Sequence, residues 1–471
     1  MRQHRSTVAA SLAAATSIVG IVTAPRRASA VAVDDATWST ATASWSSAGN
    51  WSHSNVAATG LVPNNGNGGF QFNAIIPNGA PTQDVPNLTL NNLIFNNGTI
   101  NGSSSISLTQ GGTWTGGGYN VSASLFNGAS ATFNIGGATL KQITGSGALV
   151  NSGTVTYGST GDQLSLNNSS LINNMGLFDI TADGNITDGG TGSNQFLNGA
   201  TLTKSGGTGT STIGAQFTSF EGQTTASSGT LVLRLSQGAS TGTFTASSPG
   251  ALVLQASTNH GFANSSNTAI NGTGLVRFPG PGLITIACAY GPSATEVADG
   301  TVAFLAGSGT PTSNSISFTG GTISTANHII INGGGNWSNG TFTGTGSTSF
   351  TGGTYNLLLG TKWLAGGYTL ENDSTIIWSA GAAAGLNLSG GSHIINTGLF
   401  EMTYDNMIAD QGGGTNTFLN VGTVSKSAGS GISFIQVQYS SSGGRTLCSN
   451  GTLVLNMANN GVSTGGPFTA T

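Results

Sequence analysis

The sequence predicts an all-β fold: a single-stranded parallel β-helix whose coils of about 22–24 residues stack into a rod. Three observations predict it. Asn recurs at a nearly fixed interval, at Asn151, Asn174 and Asn198 and again at Asn372, Asn396 and Asn420, each followed within a few residues by Gly and an apolar pair. Residues 172–233 align with residues 394–455 without a gap, so that Gly176-Leu177-Phe178-Asp179 matches Gly398-Leu399-Phe400-Glu401. The 471-residue chain holds 76 Gly, and only 6% of it is charged, against about a quarter in an average soluble domain. A composition that poor in charge, with 37% hydrophobic residues, excludes a disordered tail. A net charge of -4 excludes a nucleic-acid binder.

At the N-terminus, Arg2, His4 and Arg5 precede an uncharged apolar run from Val8 to Ala24, and Ala28-Ser29-Ala30 is a small-x-small cleavage site. Residues 1–30 therefore read as a secretory signal peptide. Its removal leaves 7 Lys+Arg against 15 Asp+Glu, a mature net charge of -8. No later run is long enough to span a bilayer, so no transmembrane segment is expected in the mature chain, which reads as exported. Residues 31–85 are aromatic and irregular, with Trp38, Trp45 and Trp51. They are the candidate N-terminal cap, because a solenoid must hide its first open edge.

Coils are expected over residues 86–471. Runs such as Leu252-Val253-Leu254 suit short strands, and Gly and Asn between them suit corners at positive φ. One coil cannot cover its own apolar face, so it stacks on the next, which places each Asn above the last for a ladder of side-chain amides. A β-sandwich gives no reason for Asn and Gly to recur at one interval. The duplication extends over about 111–246 and 334–471. The second copy stops at Pro467–Thr471, where the first continues through Pro249-Gly250 into Leu252-Val253-Leu254; a longer natural chain is expected. Cys288 and Cys448 fall many strands apart, so both are expected to be free buried thiols.

Chemistry is sparse. Asp183 and Asp188, and their copies Asp405 and Asp410, stand in Gly-rich turns. They are weak Ca²⁺ candidates. Their spacing matches neither an EF-hand loop nor the nonapeptide repeat, and Asx capping of turns is the favoured reading. His260-Gly261 matches one element of the polygalacturonase pattern, but stands without its paired acids. No catalytic residue, cofactor site or other metal site is expected. Trp38, Trp45, Trp51, Trp114 and Trp337 suit either sugar stacking or cap and corner filling, and filling is favoured. Thr-x-Thr pairs such as Thr154-Val155-Thr156 suit flat ice-binding faces, but do not recur on successive coils.

Gly49-Asn50-Trp51-Ser52 followed by Val62-Pro63-Asn64, with Asn-x-Gly-Thr-apolar coils after it, resembles large bacterial extracellular β-helix proteins. These are autotransporter passenger domains with passenger-associated repeats, and surface proteins of the PEP-CTERM type. The resemblance implies a right-handed parallel β-helix, secreted or on the cell surface and outer membrane, in adhesive or matrix roles. Neither a translocator barrel nor a Pro-Glu-Pro sorting tail stands within these residues. The expected function is thus a non-enzymatic structural or adhesive protein, with extracellular polysaccharide or other cell-surface components as partners. The alternative is a carbohydrate-active, pectinase-like β-helix enzyme or a polysaccharide-binding protein.

Overall fold

The computed structural model of the chain describes residues 31–158, 163–379, 385–457 and 466–470. The expected signal peptide, residues 1–30, lies outside the described residues. The described chain is an all-β solenoid of about 17 turns.

Alternation builds the strands. In Thr154–Tyr157, Val155 and Tyr157 are buried and the two Thr face outward. A regular coil holds three such strands separated by turns. Ser124–Asn127, Thr132–Ile135 and Lys141–Thr144 make one coil, and Ala148–Asn151, Thr154–Tyr157 and Gln163–Leu166 make the next. Each strand pairs in parallel with its counterpart one coil on, at Asn127↔Asn151, Thr154↔Leu177 and Ser165↔Thr187. Three flat faces result. The inward residues merge into one continuous core along the axis. Aromatic rings step along it from Phe178 to Phe196 at 5.2 Å, to Phe217 at 5.8 Å, to Phe244 at 6.4 Å and to Phe262 at 4.9 Å.

Stacking starts earlier than expected. Val33–Trp38 pairs in parallel with Gln71–Ile76, so the solenoid begins inside residues 31–85. The other edge of Val33–Trp38 is covered by the antiparallel strand Trp51–His53, which hides the open edge. This long first coil packs Trp51 against Trp38 at 5.0 Å and against Trp45 at 4.6 Å. Its length is one reason the turns number about 17 rather than the roughly 20 that uniform coils of ~22 residues imply.

The duplicated segments form the same strands in the same order. The long strands Thr210–Ser219 and Ile432–Ser441 even share one irregularity, between Ile213 and Phe217 and between Ile435 and Tyr439. The copies nevertheless occupy different faces. The face of Gln195–Asn198 continues through Thr210–Ser219 and Gly238–Ser240 to Lys362–Ala365, the counterpart of Lys141–Thr144. The face of Thr154–Tyr157 and Thr243–Ala246 continues through Ala269–Phe278, Ala289–Val297 and Thr312–Ser313 to Thr369–Asn372. The offset between copies is therefore not a whole number of turns. The second copy is rotated about the axis by one face.

Among the described residues, no helix is long and apolar enough to cross a membrane. Cys288 is a buried free thiol, and burial pushes its pKa up to about 11. The expectation of burial fails for Cys448, which is only partly covered. It ends one of the last described strands, with Phe468–Ala470 alone stacked on its outer side.

Candidate functional site

The column of asparagines is the most regular polar feature. Asn127, Asn151, Asn174 and Asn198 end successive strands of one face, point inward and are buried. The side-chain Nδ2 of Asn127 donates to Oδ1 of Asn151 at 2.8 Å, Asn151 to Asn174 at 2.8 Å, and Asn174 to Asn198 at 2.8 Å. The second hydrogen of each Nδ2 goes to the carbonyl of Thr154, Leu177 or Thr201 across the corner. The second column joins Asn372 to Asn396 at 2.7 Å and Asn396 to Asn420 at 2.9 Å. Each column stops where Ser replaces Asn, at Ser219 and at Ser441. Asn127 extends the ladder beyond the expected residues; it stands 24 positions before Asn151 and also precedes Gly. Its Oδ1 is unpartnered, because Leu108 occupies the register position on the preceding coil. Apart from that end oxygen, the ladder amides bond to one another and to corner carbonyls inside the rod, so the ladder is structural.

The four aspartates hold turns and lysines. Lys204 is fully buried and donates to Asp183 at 2.8 Å, to Gly206 O at 2.8 Å and to Ala182 O at 3.2 Å. Those three acceptors match the three N–H groups of an ammonium. The Lys204 bond holds the Asp183 carboxyl below the usual carboxylate range, with the Gly209 N–H assisting. Asp405 repeats this with Lys426 at 2.7 Å. Asp188 accepts from Gly190 N, from Asn194 Nδ2 at 2.7 Å and from Arg234 at 3.0 Å. Asp410 accepts from Gly412 N and from Asn416 Nδ2. Asx capping thus describes Asp188 and Asp410, whereas Asp183 and Asp405 neutralise lysines. Among the described residues, no three His, Cys, Asp or Glu are grouped to hold a metal.

The chain's lysines are all buried, a feature that nothing in the sequence pattern signals. Lys141 donates to the carbonyls of Gly137 and Thr139, and its copy Lys362 to those of Leu358 and Gly360. Burial pushes Lys362 down to about 8.

Other singled-out residues are equally inward. His260 is buried, with Nδ1 2.6 Å from Ser236 O and Nε2 3.1 Å from Ser240 Oγ. A carbonyl only accepts, so Nδ1 carries the proton and Nε2 accepts from Ser240. Desolvation lowers its pKa. Trp38, Trp45, Trp51, Trp114 and Trp337 are buried and offer no ring face to a sugar.

The outward cluster with the most chemistry lies on the face of the second ladder. Ser349 donates to Glu371, and His328 Nε2 stands 3.3 Å from the same Ser349 Oγ. His328 Nδ1 stands 2.6 Å from Ser347 Oγ. The serine proton is committed to the carboxylate, so Nε2 is the donor of the contact with Ser349. His328, Ser349 and Glu371 carry no sequence motif, and only strand register brings them together. The cluster holds one carboxylate, whereas glycoside hydrolysis uses a pair, and Ser349 is 3% exposed. Separate ion pairs, Arg234–Asp188 and Arg277–Glu296, sit on outer strands.

Fold and surface together define a three-faced parallel β-solenoid whose outward side chains are mostly polar and uncharged. Comparison with known proteins finds no matching family model, no matching curated protein and no matching solved structure.

Proposed function

We propose that the chain is an exported, non-enzymatic structural or adhesive rod of the bacterial cell surface or extracellular matrix. The observation that carries this reading is the continuity of the stack. Coil after coil presents outward Thr, Ser, Asn and Gln on flat faces, while the lysines, the ladder asparagines and the tryptophans named above are turned inward. Such a surface makes many weak contacts of one kind, and their number supplies avidity where no single pocket supplies affinity. The resemblance to autotransporter passengers and PEP-CTERM-type proteins supports the same role and location, with extracellular polysaccharide as a partner.

The purified protein is to be incubated with a panel of bacterial and plant polysaccharides. Co-sedimentation without release of reducing sugar is expected. Robust turnover overturns the proposal, and Glu371→Gln then shows whether the His328–Ser349–Glu371 cluster carries it.

A further inference from the structure

The geometry points to a second kind of ligand: the threonine-rich face of the first copy binds a crystalline ice surface. The face comprises Thr132–Ile135, Thr154–Tyr157, Leu177–Ile180, Thr201–Lys204, Gln223–Ala226 and Thr243–Ala246 on consecutive coils. Its outward residues form two files in register. One runs Thr132, Thr154, Leu177, Thr201, Gln223, Thr243. The other runs Asn134, Thr156, Asp179, Thr203, Thr225, Thr245. Along the sequence the Thr-x-Thr pairs skip coils. The registers show that the pairs at 154, 201 and 243 share one face, and that Thr225 fills the intervening coil.

Strands stand ~4.8 Å apart along the rod, and residues i and i+2 stand about 6.8 Å apart along a strand. This two-dimensional repeat is close to the oxygen repeats on the prism faces of ice. Thr is stiff at χ1, so the hydroxyls and methyls are held in place before binding. Thr156 and Thr245 donate to Asn134 and Asn271, which fixes their oxygens as acceptors for lattice water, and the neighbouring methyls do not compete for it. The face is matched in charge to a neutral crystal, because Asp179 is its single charged side chain and already accepts from Ser205 at 2.6 Å. A crystalline polysaccharide fits less well. Sugar planes stack on aromatic rings, but Phe133, Tyr157, Phe178 and Phe244 on these strands are all buried. On the corresponding strands of the second copy one file keeps Thr375 and Thr423, but the other carries Ile377, Glu401, Ser425 and Leu447, so the paired files belong to the first copy.

The inference goes beyond the surface role proposed above and stands without it. The test is the thermal hysteresis of the purified protein, the gap between melting and freezing of a single ice crystal, with crystal shape recorded. A gap with faceted crystals is expected. Thr203→Tyr and Thr225→Tyr together should abolish it with the thermal melting point unchanged, while Thr322→Tyr on another face should leave it intact. Absence of hysteresis in the wild-type protein overturns the inference. So does hysteresis that survives Thr203→Tyr with Thr225→Tyr. Pull-down by microcrystalline cellulose or chitin with no effect on ice overturns it in favour of a polysaccharide lattice.

Discussion

At the scale of single residues, buried amides and amines are the polar groups that the fold must satisfy. Asn174 accepts from Asn151 and donates to Asn198 and to Thr201 O. Asn174→Leu strands an N–H of Asn151 Nδ2, Asn198 Oδ1 and that carbonyl in the core, at a cost of at least about 3 kcal/mol, since each unsatisfied group costs roughly 1–3 kcal/mol. Urea titration should show a lower midpoint with an unchanged slope; an unchanged midpoint would contradict the ladder. Lys362 titrates near 8 when folded and at about 10.4 when unfolded. Between those values the unfolded chain holds a proton that the folded chain lacks, so this residue makes stability rise with pH from about 8 to 10. Above that, Tyr119, Tyr290 and Tyr368, all pushed up by burial, act in the opposite direction. Thermal melts across the window should show the rise in the wild type and not in Lys362→Met. Equal slopes in the two proteins would dismiss the buried-amine account. The asparagine spacing was legible in the sequence because one residue type recurs beside Gly at one interval. The lysine partners were not, because Lys204 reaches Asp183 from the adjacent coil.

At the scale of the element, the coil is a strand–turn unit whose corners leave little room for side chains. Gly242 has φ +95°, and a Cβ there would lie 2.1 Å from Gly222 O on the neighbouring coil. Gly242→Val therefore adds a clash with fixed backbone to a strained φ. Limited proteolysis should find new cleavage near residue 242 in that variant; an unchanged digestion pattern would contradict the corner geometry. Strand type and coil length were legible, because apolar residues alternate over four positions and Gly punctuates them. The start of the solenoid was not. Val33-Asp34-Asp35-Ala36-Thr37-Trp38 reads as polar until Asp34 is seen to be buried against His53 at 2.6 Å and the N–H of Asn55 at 2.8 Å. The rotation of the second copy was also hidden. Sequence alignment fixes which residues correspond but not how many corners the chain has turned between them.

At the scale of the whole molecule, one core runs the length of the rod, and the duplicated coils present related surfaces on different faces. With the adhesive role proposed above, such a rod would contact its surroundings from more than one side. Export is tested by recovering the protein from outside the cytoplasm of a Gram-negative host and sequencing its N-terminus. Val31 is expected as the first residue, and an intact Met1 would contradict a cleaved signal. The central claim is the register of the stack, and disulfide mapping tests it most directly. With Cys288 and Cys448 replaced by Ser, the pairs Thr203→Cys with Thr225→Cys and Glu371→Cys with Ile395→Cys occupy opposed positions on adjacent coils, within the ~4.4–6.8 Å that a disulfide allows. Both pairs should bridge on mild oxidation, read as linked peptides by mass spectrometry. Thr203→Cys with Thr245→Cys, two coils apart, should stay reduced. Bridging of that distant pair, with the adjacent pairs left as thiols, would contradict the stacked, registered coil.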